Sequence, residues 1–128
     1  MNIILDTHAF LWAVTDDRRL SETARAVIGD GANQVFLSAA SMWEIVLKTG
    51  AGKLHLAGGA ARFLENEIRR NRLSPLPIQL VHVLRVTSLP PIHKDPFDRL
   101  LIAQAQVENL PLITSDPEIT RYPVQIIW

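Results

Sequence analysis

Four acidic residues, Asp6, Glu44, Asp98 and Asp116, each stand singly in apolar surroundings. Carboxylates gathered in one pocket repel, and their pKa values rise unless a cation compensates them. A hard divalent ion with oxygen ligands suits such a set. Mg²⁺ or Mn²⁺ typically takes a few carboxylates together with waters and substrate phosphate. The chemistry on offer is therefore the binding of a hard divalent ion.

Each acid also has a plainer structural use. In HKDPFDRLLIAQA, residues 93–105, Asp95 reads as a helix N-cap, Pro96 suits the first helical position, and Asp98 completes a capping-box-like start. Yet Leu101, Ile102 and Ala105 follow Asp98 at helical spacing, so its carboxylate lies in line with a stripe that faces the core. An unpaired charge there is costly, and something positive should meet it. Asp6, in NIILDTH, can cap a helix beginning near His8, as can Thr7. Glu44 lies in SMWEIVLK, where Met42, Trp43, Ile45, Val46 and Leu47 read as core and Ser41, Glu44 and Lys48 form a narrow polar stripe. A Glu44–Lys48 pair is either a surface contact worth a few tenths of a kcal/mol or a pair aimed inward at a cleft. Asp116 precedes Pro117 in TSDPEIT, a turn signal.

Other chemistries find little support. His8, His55, His82 and His93 share no metal-ligand spacing and read as surface or hydrogen-bonded residues, although His93 and Lys94 stand near the proposed site. No glycine-rich phosphate loop is present, nor a serine nucleophile with a histidine partner. The absence of cysteine excludes disulfides and thiolate metal sites and makes a cytoplasmic location the expectation. Met1 leads straight into NIILD with no basic start and cleavable apolar stretch, so no secretion signal is expected. No apolar run is long enough to cross a membrane. Net charge is zero, which argues against coating nucleic acid by charge alone. The arginines of RFLENEIRRNR form a solvated helix face or, less simply, a phosphate-binding patch. Trp12, Trp43 and Trp128 read as core or interface residues.

The elements that must position these residues follow from periodicity. With 48% hydrophobic and 20% charged residues, the 128-residue chain is expected to form a single globular domain over 1–128. Strands are expected at NIIL (2–5), QVFL (34–37), PLIT (111–114) and VQIIW (124–128), with PLPI (75–78) a weaker candidate. Helical patterns cover roughly 8–15, 21–29, 40–50, 59–72, 79–87 and 96–109. This alternation predicts an α/β fold with a central parallel sheet and helices on both faces. Ligands in such sheets bind beyond the carboxyl ends of the strands, at a topological switch point. Asp6 follows a strand directly, Asp116 lies two residues beyond one, and Glu44 sits in the helix that follows QVFL. Asp98 belongs to a helix that precedes a strand and should start at the opposite rim. It reaches the crevice only if residues 88–95 carry the chain back over the carboxyl edge, or if the helix lies obliquely.

Taken together, IILDTH, SMWEIVLK, DPFDRLLIAQA and PLITSD, in that order and spacing, resemble the PIN-domain family, and in particular the VapC-type toxins of bacterial type II toxin–antitoxin pairs. The resemblance implies a three-layer α/β/α sandwich and an acidic quartet on Asp6, Glu44, Asp98 and Asp116, with Asp95 an additional acid. It implies a supporting hydroxyl at Thr114 or Ser115. It also implies an endoribonuclease that uses Mg²⁺, or Mn²⁺, to activate a water for in-line attack on phosphorus. Asp6 and Asp98 are then the main metal ligands, with Glu44 and Asp116 ligating directly or through water. RNA contacts are expected at Lys48, Lys94 and Arg99, and further at Lys53 and the arginines of 69–72. The implied partners are RNA, a second copy of the chain, and a cognate antitoxin whose tail covers the acidic cleft. The residues of HAFLW are candidates to line the receiving groove, although Phe10 suits the core equally.

Two other functions fit parts of the pattern. A phosphoacceptor receiver domain also holds Mg²⁺ with acids on a doubly wound sheet, but normally shows adjacent acids after the first strand and a Lys-Pro near the last. Here Asp6 is followed by Thr7, and RYPVQIIW holds no lysine. A PIN-like module that binds RNA or a protein without cleaving is the second, and the complete quartet counts against it.

Overall fold

Strand β1 (Asn2–Leu5) is covered on both faces, as its unbroken apolar sequence requires. Ile3 and Leu5 point into one core and Ile4 into another. The computed structural model describes residues 1–128. After β1 come α1 (Thr7–Val14), α2 (Glu22–Gly29), β2 (Gln34–Ser38), α3 (Ala39–Gly50), α4 (Ala60–Arg70), β3 (Ser74–Leu76), α5 (Leu80–Val86), α6 (Pro96–Glu108), β4 (Leu112–Ile113) and β5 (Ile126–Ile127). The weak candidate PLPI overlaps the edge strand β3 only at Pro75 and Leu76, and the last two strands are shorter than their apolar runs.

All five strands are parallel, in the order β3-β2-β1-β4-β5. Phe10, Ala24, Ile45 and Leu64 of α1 to α4, with Leu20 between α1 and α2, pack on one face of the sheet. Leu101, Ile102, Ala103 and Ala105 of α6, with Leu89 and Tyr122, pack on the other. The result is the expected three-layer sandwich. Its strand order is not the 2-1-3-4-5 order of receiver-type doubly wound sheets, so that alternative does not apply. The chain winds outward from β1 to β3, then resumes on the other side at β4. The switch point therefore lies between β1 and β4, where the Asp6 amide donates to the Ile113 carbonyl at 3.0 Å.

The path of α6 answers the difficulty over Asp98. Gln104, midway along α6 and fully buried, accepts from the Ser38 hydroxyl at the carboxyl end of β2 and donates to the Pro77 carbonyl just beyond β3. Asp98 lies six residues earlier, about 9 Å along the axis, so the start of α6 runs out past the middle of the sheet toward the carboxyl rim. Helix α5 lies beside it in the opposite sense. His82 meets Glu108, Arg85 meets Gln106, and the carbonyls of Val86 and Pro90 meet Arg99. The chain has already travelled to the rim before α6 begins. Asp95 caps α6 by accepting from the amides of Phe97 and Asp98, as its sequence predicts.

Candidate active site

Asp6 ends β1 and caps α1, its carboxylate accepting from the Ala9 amide at 2.7 Å. It is nearly buried, and loss of solvent pushes its pKa up despite hydrogen bonds from Thr114 and Ala9; Asp116 adds repulsion. Thr114, wholly buried after β4, also accepts the Asp116 amide at 3.0 Å. It is thus the hydroxyl that ties Asp6 to the Asp116 turn, whereas Ser115 is exposed.

Glu44 reverses the expected sidedness of α3. Its polar stripe faces inward, with Ser41 and Glu44 buried, while Trp43, Val46 and Leu47 lie exposed, Trp43 by 55%. These three are not core residues, because the stripe packs toward α1 and the rim and leaves them on the outer side of the helix. Both Glu44 oxygens are engaged: the Thr7 hydroxyl donates to Oε1 at 2.6 Å and Lys48 Nζ to Oε2 at 2.6 Å. The Glu44–Lys48 pair is therefore the inward one, with a Glu44 side chain 4% exposed. Glu44 in turn holds the Lys48 proton more tightly than usual, against a partial burial that loosens it.

Asp98 is also shifted upward. Burial, then repulsion from Asp95, Glu44 and Asp6, pushes its pKa up to about 7, against some relief from His93. Asp116 goes the other way. Burial would raise it, but the hydrogen bonds from His93 and the Glu118 and Ile119 amides hold it below the ordinary carboxylate range.

His93, read from sequence as a surface or hydrogen-bonded residue near the site, stands inside it. Its Nε2 lies 2.9 Å from Asp116 Oδ2 and 3.1 Å from Asp98 Oδ2, with the side chain only 10% exposed. Burial lowers its proton affinity, but Asp116, Asp98 and Glu118 more than reverse this. The sequence suggests a divalent ion as the charge that compensates the acids. The chain supplies two donors of its own, the Lys48 ammonium at Glu44 and the His93 ring between Asp98 and Asp116. No spacing rule marks His93, because its partners arrive from α6 and the turn after β4.

The tightest grouping of potential ligand atoms is His93, Asp98 and Asp116. Asp6 and Glu44 join it through their repulsion with Asp98 rather than through the same close cluster. A set of oxygen donors with two carboxyls held above their normal pKa fits a hard divalent cation. Of the cationic candidates, Lys94 is exposed at the edge. The Arg99 guanidinium instead donates to the carbonyls of Val86, Pro90 and His93, and so holds the segment before α6. Beside Thr7 and Lys48 opens a groove of about 540 Å³, lined also by His8, Trp12, Lys53 and His55. Leu11 and Trp12 of HAFLW face this groove, while Phe10 is buried in the core.

Comparison with known proteins agrees with this architecture. The model for the PIN domain matches residues 3–125. Ribonuclease VapC16 of Mycobacterium tuberculosis (strain ATCC 25618 / H37Rv) is 38% identical over 58 residues, which is 45% of this chain and 41% of that protein. The match thus spans less than half of the relative. Among solved structures, VapBC2 from Rickettsia felis bound to a promoter DNA fragment superposes with a TM-score of 0.72 at 17% identity, covering 98% of this chain and 97% of that one. DNA-bound VapBC from Salmonella typhimurium gives 0.71 at 18% identity over 98% and 96%. At such identity these two similarities speak for the fold.

Proposed function

The chain belongs to the PIN-domain family, and from that premise we propose that it is a metal-dependent endoribonuclease, the toxin of a toxin–antitoxin pair. The observation that carries this reading is Asp98, raised to about 7 by burial and by the neighbouring acids at the switch-point rim. A fold gains no stability from such a group, and a cation that binds there relieves it.

Asp6, Asp98 and Asp116 would hold Mg²⁺ or Mn²⁺. When bound, the ion lowers the pKa of a water and neutralises charge on the phosphate oxygens. Thr114 orients Asp6 by donating to its carboxylate and fixes the Asp116 turn by accepting that residue's amide. Thr7 and Lys48 each donate to one Glu44 oxygen and so orient the carboxylate, which would ligate directly or through water. Lys48 and Lys53 at the adjoining groove would attract the RNA backbone, with Lys94 at the edge.

The same groove, where Leu11 and Trp12 meet those lysines, suits the tail of a cognate antitoxin, which would shut the acidic rim. The VapBC complexes that share the fold support such a partner. The exposed apolar face of α5, with Leu80, Val81, Val83 and Leu84, supports a homodimer. No helix is long and apolar enough to cross a membrane, and a cytoplasmic site of action fits an RNA substrate.

The test is direct. Purified protein is incubated with structured RNA and Mg²⁺ or Mn²⁺, with chelator, and as Asp98→Asn. Cleavage should need the ion and Asp98; cleavage indifferent to both removes the proposal.

A further inference from the structure

His93 is the imidazole within hydrogen-bond reach of Asp98 and Asp116, and its two nitrogens face opposite kinds of partner. Nε2 faces acceptors, Asp98 Oδ2 at 3.1 Å and Asp116 Oδ2 at 2.9 Å. Nδ1 faces a donor, the backbone N–H of Asp95, at 3.1 Å. A main-chain amide can only donate, so Nδ1 accepts and the ring proton sits on Nε2. The Glu118 carboxylate, 3.6 Å from Nδ1, lies farther off than the amide and beyond hydrogen-bond length.

A histidine that ligates a metal shows the reverse arrangement. Its outer nitrogen donates to a carboxylate or carbonyl, which frees the inner lone pair for the ion. In this chain the inner nitrogen carries the hydrogen, and it would carry one in the doubly protonated ring as well. We propose that His93 is a hydrogen-bond donor that bridges Asp98 and Asp116 in place of a cation, and that an arriving divalent ion must displace it rather than be bound by it. The inference rests on the metal-site reading given above and adds this chain's own competitor to it.

Two consequences follow. The carboxylates at the rim are held in position without metal, because the His93 Nε2–H and the Lys48 ammonium donate to them from within the chain. The ligand set offered to the ion is all oxygen, which favours Mg²⁺ and Mn²⁺ over the softer ions that imidazole attracts.

Mn²⁺ binding to the intact chain tests this by titration calorimetry and by pulsed electron paramagnetic resonance, which detects a directly bonded nitrogen. Wild type should show Mn²⁺ without such a nitrogen. His93→Ala should bind Mn²⁺ more tightly, by about tenfold, the worth of one lost hydrogen bond to a charged group. His93→Gln, which keeps an N–H donor, should fall between. Thermal melts without metal verify that the variants fold, and the wild-type nitrogen signal decides the matter even if His93→Ala does not. A directly bonded nitrogen in wild type would overturn the proposal, as would unchanged or weaker binding by a folded His93→Ala. Asp98→Asn separates the two layers. If wild type binds Mn²⁺ and Asp98→Asn binds it equally, the metal site itself is misplaced and this inference falls with it. If Asp98→Asn loses binding but His93→Ala gains none, only the role of His93 fails.

Discussion

Lys48 Nζ closes on Glu44 Oε2 at 2.6 Å, and the carboxylate it reaches is buried while the lysine itself remains 41% exposed. The pair is asymmetric: the acid has no water to fall back on, and the base does. Removing the base therefore costs more than the ordinary value of an exposed pair four residues apart. Lys48→Met should lower stability by about 1–3 kcal/mol, below the cost of breaking a fully buried pair because Lys48 is half in water. Lys48→Met with Glu44→Gln should recover part of that loss, since no orphaned charge is left. Urea unfolding of the two variants and wild type measures both effects.

How far the sequence made this legible depends on whether the signal was local. The order of strands and helices and the cap at Asp95 follow from period and neighbour chemistry, and each lies within a few residues of its cause. The outward face of α3 was not legible, because an apolar Trp43, Val46 and Leu47 read as core whatever lies opposite them. Nor was the direction of α6. It is fixed by Gln104 reaching Ser38 and Pro77, contacts between residues far apart in sequence. His93 illustrates the same limit at the site. Its neighbours in HKDP announce a turn, and only the tertiary fold brings Asp116 to its ring.

Stability should fall with rising pH in the metal-free protein. An unfolded chain loses the Asp98 proton near the ordinary 3.8, whereas the folded chain holds it to about 7. Between those values the folded state binds more protons, so each step up in pH favours unfolding. His93 adds to the same trend, because a raised proton affinity gives stability at low pH that is lost as pH climbs through its folded pKa. Asp116 has the opposite sign, and its contribution fades only in acid. Melting temperature without metal should therefore drop between about pH 5 and about pH 8. Asp98→Asn should melt above wild type at the upper end and lose the rise that Mg²⁺ or Mn²⁺ gives wild type there. Calorimetric scans across that range decide it.

Thr114→Val keeps the shape of the side chain and deletes one hydroxyl. That hydroxyl donates to Asp6 and accepts the Asp116 amide, so a single atom group orients two proposed ligands. Its loss should weaken Mn²⁺ binding by about tenfold, as expected for a partner that orients metal ligands. Ser115→Ala, at the exposed neighbour, should leave binding unchanged. Mn²⁺ titration of both variants is the measurement.

Helix α5 presents Leu80, 73% exposed, with Val81, Val83 and Leu84 to solvent. Four large apolar residues in seven positions are more than scattered surface exposure accounts for, and a self-complementary patch is the economical use of such a face in a two-fold dimer. The opposite side of α5 is already occupied: His82 is buried and meets Glu108 and Gln104 of α6, which fixes which residues remain outward. Leu80→Lys with Leu84→Lys should therefore convert a dimer to a monomer without lowering the melting temperature, because neither side chain contributes to either core. Trp43→Ser, on the separate exposed face of α3, should leave the dimer intact. Light scattering on a sizing column gives the mass of each. A wild type that is monomeric at high concentration, or a double variant that remains dimeric, would move the interface elsewhere.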